Sequence, residues 1–195
     1  MDLIFATHND HKVSEVQAML PPEIHIRSLR EMGCLEEIPE TQDTLKGNAL
    51  QKAQFVAARY GASCFADDTG LEIDALQGRP GVRSARYAGE GCSFADNVRK
   101  VLDELRDVRD LSQRSARFRT VVALILEGRT WFFEGKVEGF ITLEPSGREG
   151  FGYDPVFLPA GWNQTFAEMA AGDKNRISHR GIAMGKLVAF LKQQA

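Results

Sequence analysis

Two long apolar runs, Ala116–Leu126 and Thr130–Leu143, are separated only by the turn Glu127-Gly128-Arg129. So short a connection suits antiparallel neighbours, and the two runs read as a long β-hairpin. The N-terminal half has another rhythm. Leu3–Thr7 reads as a buried strand, and Val13, Val16, Met19 and Leu20 recur at helical spacing over about 10–20 before Pro21 and Pro22 stop the helix. Ile24–Leu29 alternates as a second strand. A helix is predicted over Thr44–Tyr60, closed by Gly61, and Ser63–Ala66 reads as a third strand ending at Asp67 and Asp68. Phe94–Val108 reads as an amphipathic helix and Gly181–Lys192 as a C-terminal one, with Gly/Pro-rich loops at Gly78–Gly91 and Pro145–Pro159. βαβ order followed by a hairpin predicts an α/β fold with a mixed central β-sheet flanked by helices.

At 195 residues and 43% hydrophobic content, one core and one domain, residues 1–195, are expected. No repeat or linker interrupts the chain. Lys plus Arg total 24 against 27 for Asp plus Glu, a formal charge of -3 that gives no global attraction to nucleic acid or to an anionic membrane. Met1–Thr7 lacks the basic start and cleavage site of a signal peptide, and no run approaches the roughly 18 apolar residues of a membrane span. The three cysteines, Cys34, Cys64 and Cys92, have no paired short spacing, so a reducing cytoplasm is expected, with Cys64 buried as a small hydrophobe.

Polar residues gather at the element ends. Thr7-His8-Asn9-Asp10-His11-Lys12 lies where a strand gives way to a helix. Helix N-terminal amides carry partial positive charge, so this corner suits a phosphate, with Lys12 adding a full charge; Thr7 and Asn9 equally suit simple capping. Asp67-Asp68-Thr69-Gly70 follows an apolar strand, and Glu40 precedes the helix before it. Adjacent carboxylates repel unless a cation or proton lies between them, and their oxygens are natural Mg²⁺ ligands; a strand-to-turn junction is the alternative. Asn48, Lys52 and Phe55 share one helical face, where Lys52 either reaches a site or snorkels to solvent. Phe151-Gly152-Tyr153-Asp154 among glycines, together with Lys174, Ser178, His179 and Arg180, offers a ring to stack on a base and cations for phosphate or base oxygens.

Taken together these segments resemble the family of inosine/xanthosine triphosphate pyrophosphatases, the Ham1-like proteins. The resemblance rests on T-x-N-x-x-K at Thr7–Lys12, N-A-x-x-K-A at Asn48–Ala53, A-D-D-T-G-L at Ala66–Leu71, P-G-V-x-S-A-R-Y at Pro80–Tyr87, F-G-Y-D-P at Phe151–Pro155 and S-H-R at Ser178–Arg180, and it covers nearly the whole chain. It implies two lobes with a cleft between them, Mg²⁺ dependence and a homodimer. It implies that Asp68 is the general base, that Glu40 and Asp68 serve the metal, and that Thr7, His8, Asn9, Asp10, His11 and Lys12 hold the triphosphate. Lys52 and Thr69 fall beside the phosphates, and Phe151, Gly152, Tyr153, Asp154, Lys174, His179 and Arg180 at the nucleoside end. Two positions depart from the family pattern: His8 stands where many relatives carry Gly or Asn, and Gly47 where many carry Glu.

The expected reaction is attack of water on the α-phosphorus of a non-standard purine nucleoside triphosphate (ITP, dITP, XTP), releasing the monophosphate and pyrophosphate. Arg180 is the expected reader of the purine six-position oxygen, to which a guanidinium can donate, and Phe151 the stacking ring. A Maf-like pyrophosphatase with other base specificity and a non-catalytic nucleotide-binding module are the competing readings.

Overall fold

In the computed structural model, which describes residues 1–194, the chain runs β1 (Asp2–Phe5), α1 (Asp10–Met19), β2 (His25–Ser28), α2 (Leu45–Tyr60), β3 (Cys64–Ile73), β4 (Pro80–Gly81), α3 (Phe94–Glu104), β5 (Ser115–Leu126), β6 (Arg129–Ile141), β7 (Phe157–Pro159), α4 (Ala171–Ile177) and α5 (His179–Gln194). The strands follow the order β2-β1-β3-β5-β6-β7, with β4 paired to β3. β1 pairs in parallel with β2 and with β3, whereas β3–β4 and β6–β7 are antiparallel, so the sheet is mixed as the sequence predicts. The hairpin turn is tighter than expected: only Glu127 and Gly128 lie outside the strands, both with positive φ (49° and 76°). Positive φ at both central residues is the requirement of the turn that follows the natural strand twist, and glycine meets it at the second position without steric cost.

Two compact units divide the chain. The first comprises Met1–Asp68, Thr120–Gly135 and the stretch from Arg180; the second comprises Thr69–Arg119 and Lys136–His179. In the first unit the pleat sorts the core into two faces. Leu3, Phe5, Phe65, Val122 and Leu124 pack with Val16 of α1 and with Met184, Leu187 and Leu191 of α5. The alternate residues Ile4, Ala6, Cys64, Ala66 and Ala123 pack with Ala49, Ala53 and Val56 of α2. Each large apolar side chain so buried contributes roughly 1.5–3 kcal/mol. Trp131 and Phe133 pack against Phe190 on the first face, and Phe132 lies on the second beneath the Lys46 ammonium.

In the second unit, Leu71 and Ile73 of β3 pack with Val98 and Val101 of α3 and with Phe118, Ile141, Phe157 and Phe166. α3 starts on a reciprocal Ser93–Asp96 capping box and stops at Glu104, short of the predicted Val108. The reason lies outside the helix. The fully buried Arg114 guanidinium donates to the carbonyls of Leu105 and Val108 (3.0 and 2.9 Å) and of Ile141 and Thr142 (2.7 and 2.9 Å), and the chain turns to meet it. α4 and β7 lie where no regular element was predicted, and α5 begins two residues before Gly181.

Candidate functional site

The third strand does not end at its acidic pair. β3 continues through Asp67 and Asp68 to Ile73, and both aspartates are buried, at 1% and 7% exposure. Acidic side chains read from sequence as a strand terminus because burying an unpaired carboxylate is costly. Here each is paired. The pleat sends neighbouring side chains to opposite faces, so Asp67 and Asp68 hydrogen-bond to cations of different helices.

Asp67 faces α1 and α5. Its Oδ1 accepts from Lys12 Nζ (2.9 Å) and its Oδ2 from Arg180 Nε (3.2 Å), and Arg180 is also ion-paired to Glu15. Burial alone would raise the Asp67 carboxyl, but Lys12, Arg180 and Lys52 outweigh it and hold the group well below the usual carboxylate range. The Lys12 ammonium is pushed down, first by burial, against the pull of Asp67.

Asp68 faces α2. Oδ2 accepts from Asn48 Nδ2 (3.1 Å) and Oδ1 from Lys52 Nζ (3.4 Å), and Lys52 is ion-paired to Glu40 as well. Burial raises the Asp68 carboxyl above its ordinary value; Lys52 and Lys12 pull it down without cancelling the rise, to which Glu40 adds. Lys52 is held up despite burial, by Asp68, Glu40 and Asp67. Around the strand, Lys12, Lys52 and Arg180 thus ion-pair with Glu15, Glu40, Asp67 and Asp68.

The corner before α1 is committed largely to capping. Asn9 Oδ1 accepts from the amides of His11 and Lys12, and Thr7 Oγ1 from that of Asn9. His8 Nε2 is 2.9 Å from the Cys34 carbonyl, and Asp10 pairs with Arg30 at the surface. His11 is exposed.

In the second unit, Asp154 Oδ2 accepts from Lys174 Nζ and from the Phe151 amide, both at 2.8 Å. The Lys174 ammonium lies 5.3 Å from the Phe151 ring centre and 5.9 Å from that of Phe166. Tyr153 donates its hydroxyl to the Ser84 carbonyl (2.8 Å), Gly152 has a positive φ (65°), and His179 stacks on Phe118 at 4.4 Å. Thr69 follows Asp68 in β3. The sequence expectations thus separate into a carboxylate–cation group around Asp67 and Asp68 and an aromatic–cation group around Phe151. Arg180 ion-pairs with Asp67 and Glu15 within the first group.

The Ham1 family's sequence model matches residues 3–190. This chain belongs to the Ham1 family. It is 56% identical over 189 residues to a dITP/XTP pyrophosphatase of Porphyromonas gingivalis, covering 97% of this chain and 96% of the relative. A dITP/XTP pyrophosphatase of Flavobacterium johnsoniae is 50% identical, with 98% of each chain covered. Among solved structures, a HAM1 protein from Coxiella burnetii superposes with a TM-score of 0.89 at 38% identity, over 99% of both chains, and the Staphylococcus aureus Ham1 protein with 0.88 at 34%, over all of both.

Glu15, Gln42 and Asn48 were not assigned to the site from sequence. For Asn48 a signal existed in its i, i+4 spacing with Lys52; for Glu15, only the distant Arg180 marks it. Among the described residues, no group of three His, Cys, Asp or Glu side chains gathers closely enough to hold a metal ion. Glu40 and Asp68 nonetheless converge on one cationic point, the Lys52 ammonium. Two hard oxygen donors fit Mg²⁺, which takes one or two protein carboxylates and completes its shell with water and substrate phosphates.

Proposed function

We propose that this chain hydrolyses dITP, ITP and XTP to the nucleoside monophosphate and pyrophosphate in a Mg²⁺-dependent reaction, clearing them from the nucleotide pool before they are built into DNA or RNA. The observation that carries the reading is Asp68: a buried carboxylate raised above its ordinary value, held through both oxygens, in a chain more than half identical to a dITP/XTP pyrophosphatase. A carboxylate with a raised affinity for protons is a better general base than an exposed one, and it accepts the proton of the attacking water. Lys12 and Lys52 offset phosphate charge as the bond to the α-phosphorus forms. Mg²⁺, held by Glu40 and Asp68, would supply further charge neutralisation and stabilise the departing pyrophosphate.

Phe151 offers a ring to stack on the purine and Lys174 a neighbouring cation. We assign Arg180 to holding Asp67, on the strength of its ion pairs with Asp67 and Glu15. The chain is taken to act as one domain and as a cytoplasmic homodimer; no described helix is long and apolar enough to cross a membrane. The decisive experiment is a panel of nucleoside triphosphates with Mg²⁺ and separate detection of pyrophosphate and orthophosphate. Pyrophosphate release from dITP, ITP and XTP far above that from ATP is expected; orthophosphate as the product would overturn the reading.

A further inference from the structure

One side chain, Asn48, joins Asp68 directly to the backbone of the loop that carries Glu40. Asn48 is buried, at 1% exposure, and its two polar ends face different partners. Nδ2 donates to Asp68 Oδ2 (3.1 Å), while Oδ1 accepts from the Gln42 amide (2.9 Å). Because an amide group has one accepting and one donating end, the Gln42 amide fixes which way Asn48 is turned: with Oδ1 taken by that N–H, only the NH₂ can face Asp68. The same loop is clasped one residue earlier, where Gln51 accepts from the Thr41 amide (3.0 Å) and donates to the Thr41 hydroxyl (2.9 Å). Glu40 is the next residue back, and it meets Asp68 again through Lys52.

The glycine beside Asn48 makes this approach possible. A Cβ on Gly47 would lie 2.7 Å from Gln42 Cβ, 3.0 Å from Thr44 Oγ1 and 3.1 Å from Gln42 Cγ. The first distance is shorter than side-chain carbons tolerate, and Gln42 Cβ is too close to its own backbone to swing aside alone. Any larger residue at 47 pushes Gln42, and with it the N–H that orients Asn48. The departure of Gly47 from the Glu many relatives carry thus belongs to the same contact.

We infer that Asn48 is a positioning residue for the hydrolysis, turning the Asp68 carboxylate and tying it to the Glu40 loop through Gln42, with Gly47 as the close approach that permits the tie. This deepens the proposed reaction and rests on the reading of Asp68 as its base. Asn48 touches neither substrate nor metal in this role. It holds one Asp68 oxygen so that the other is left to Lys52 and the chemistry, and it moves Asp68 and Glu40 as one body.

The test is steady-state kinetics on the full chain with dITP and Mg²⁺, each rate divided by the folded fraction from circular dichroism. Asn48→Ala is expected to lower kcat about 10- to 100-fold, the scale of one hydrogen bond to a charged group, with KM changed less than about threefold. Gly47→Ala is expected to lower kcat by a smaller factor; alanine is the better helix former, which offsets part of the strain of the close approach, and the division by folded fraction removes what unfolding remains. The double variant should lose no more than Asn48→Ala alone, because both changes break one link. Unchanged kcat in Asn48→Ala, or losses that multiply in the double variant, would overturn the inference. If Asn48→Ala does not fold, Gly47→Ala decides alone: unchanged kcat overturns the tie, and reduced kcat at unchanged KM supports it. Asp68→Asn is the control. Retained turnover there removes the underlying reading, whereas its loss beside a normal Asn48→Ala removes only this inference.

Discussion

Asp68 and Asp154 are both buried aspartates that meet a lysine from a helix, yet they are built for different ends. Asp154 is balanced. One of its oxygens takes Lys174 and the Phe151 amide, both at 2.8 Å, and aromatic rings lie around the ammonium. Asp68 is crowded instead: its lysine is 3.4 Å away and is shared with Glu40, and burial raises its carboxyl. A short ion pair braced by a backbone amide holds a loop in shape, whereas a carboxylate that must share its cation with a second acid is ready to take a proton or a metal. The contrast teaches that burial and a lysine partner do not by themselves mark a reactive acid; what matters is whether the partner's charge is already divided with no second close cation to make it up, as Lys12 does for Asp67.

The largest effect expected from breaking this contrast is on stability in the second unit. Asp154→Ala leaves Lys174 buried without its carboxylate and should cost about 3–5 kcal/mol, read from urea denaturation. A loss below about 1 kcal/mol would mean that solvent reaches the ammonium and that the pair is not structural. Next comes Asp68→Asn, which should keep the fold and nucleotide binding while turnover falls about 10²-fold or more, since the amide cannot accept the water's proton. Near-normal turnover would move the base to another carboxylate.

A smaller effect is expected at Lys12. Lys12→Ala should weaken triphosphate affinity about tenfold while leaving nucleoside affinity nearly unchanged, because an ammonium acts through charge. Calorimetry with both ligands checks it, and equal losses would make Lys12 a structural partner of Asp67 alone. The smallest effect is a slope against pH. The Asp68 carboxyl is raised in the fold above its ordinary 3.8, so the folded state holds that proton more tightly than the unfolded chain does. Its ionisation therefore costs stability as pH climbs from 3.8 through the raised value. Asp68→Asn removes this loss, so its stability relative to the wild type should improve from acid to neutral pH in denaturation midpoints. A difference independent of pH would show that Asp68 titrates normally.

Much of the architecture was legible in the chain. Apolar runs of strand length, Pro21-Pro22, Gly61 and the Glu127-Gly128 turn are local signals, and local signals act wherever the rest of the chain lies. Asn48 and Lys52 were visible on one helical face for the same reason. The course of β3 was not legible. Asp67-Asp68-Thr69-Gly70 reads as a strand end, and only cations brought from α1, α2 and α5 let the strand continue.

The sequence by itself determined the periodicities, the caps and turns, and the set of motifs that mark a Ham1 family member. The tertiary structure alone decided which charge meets which. The pleat sends Asp67 toward Lys12 and Arg180 and Asp68 toward Asn48 and Lys52. That choice places Arg180 against Asp67 and Glu15. The physical reason is range: periodicity and capping act over a few residues, whereas Arg180 and Asp67 are 113 positions apart and meet only after the sheet has formed.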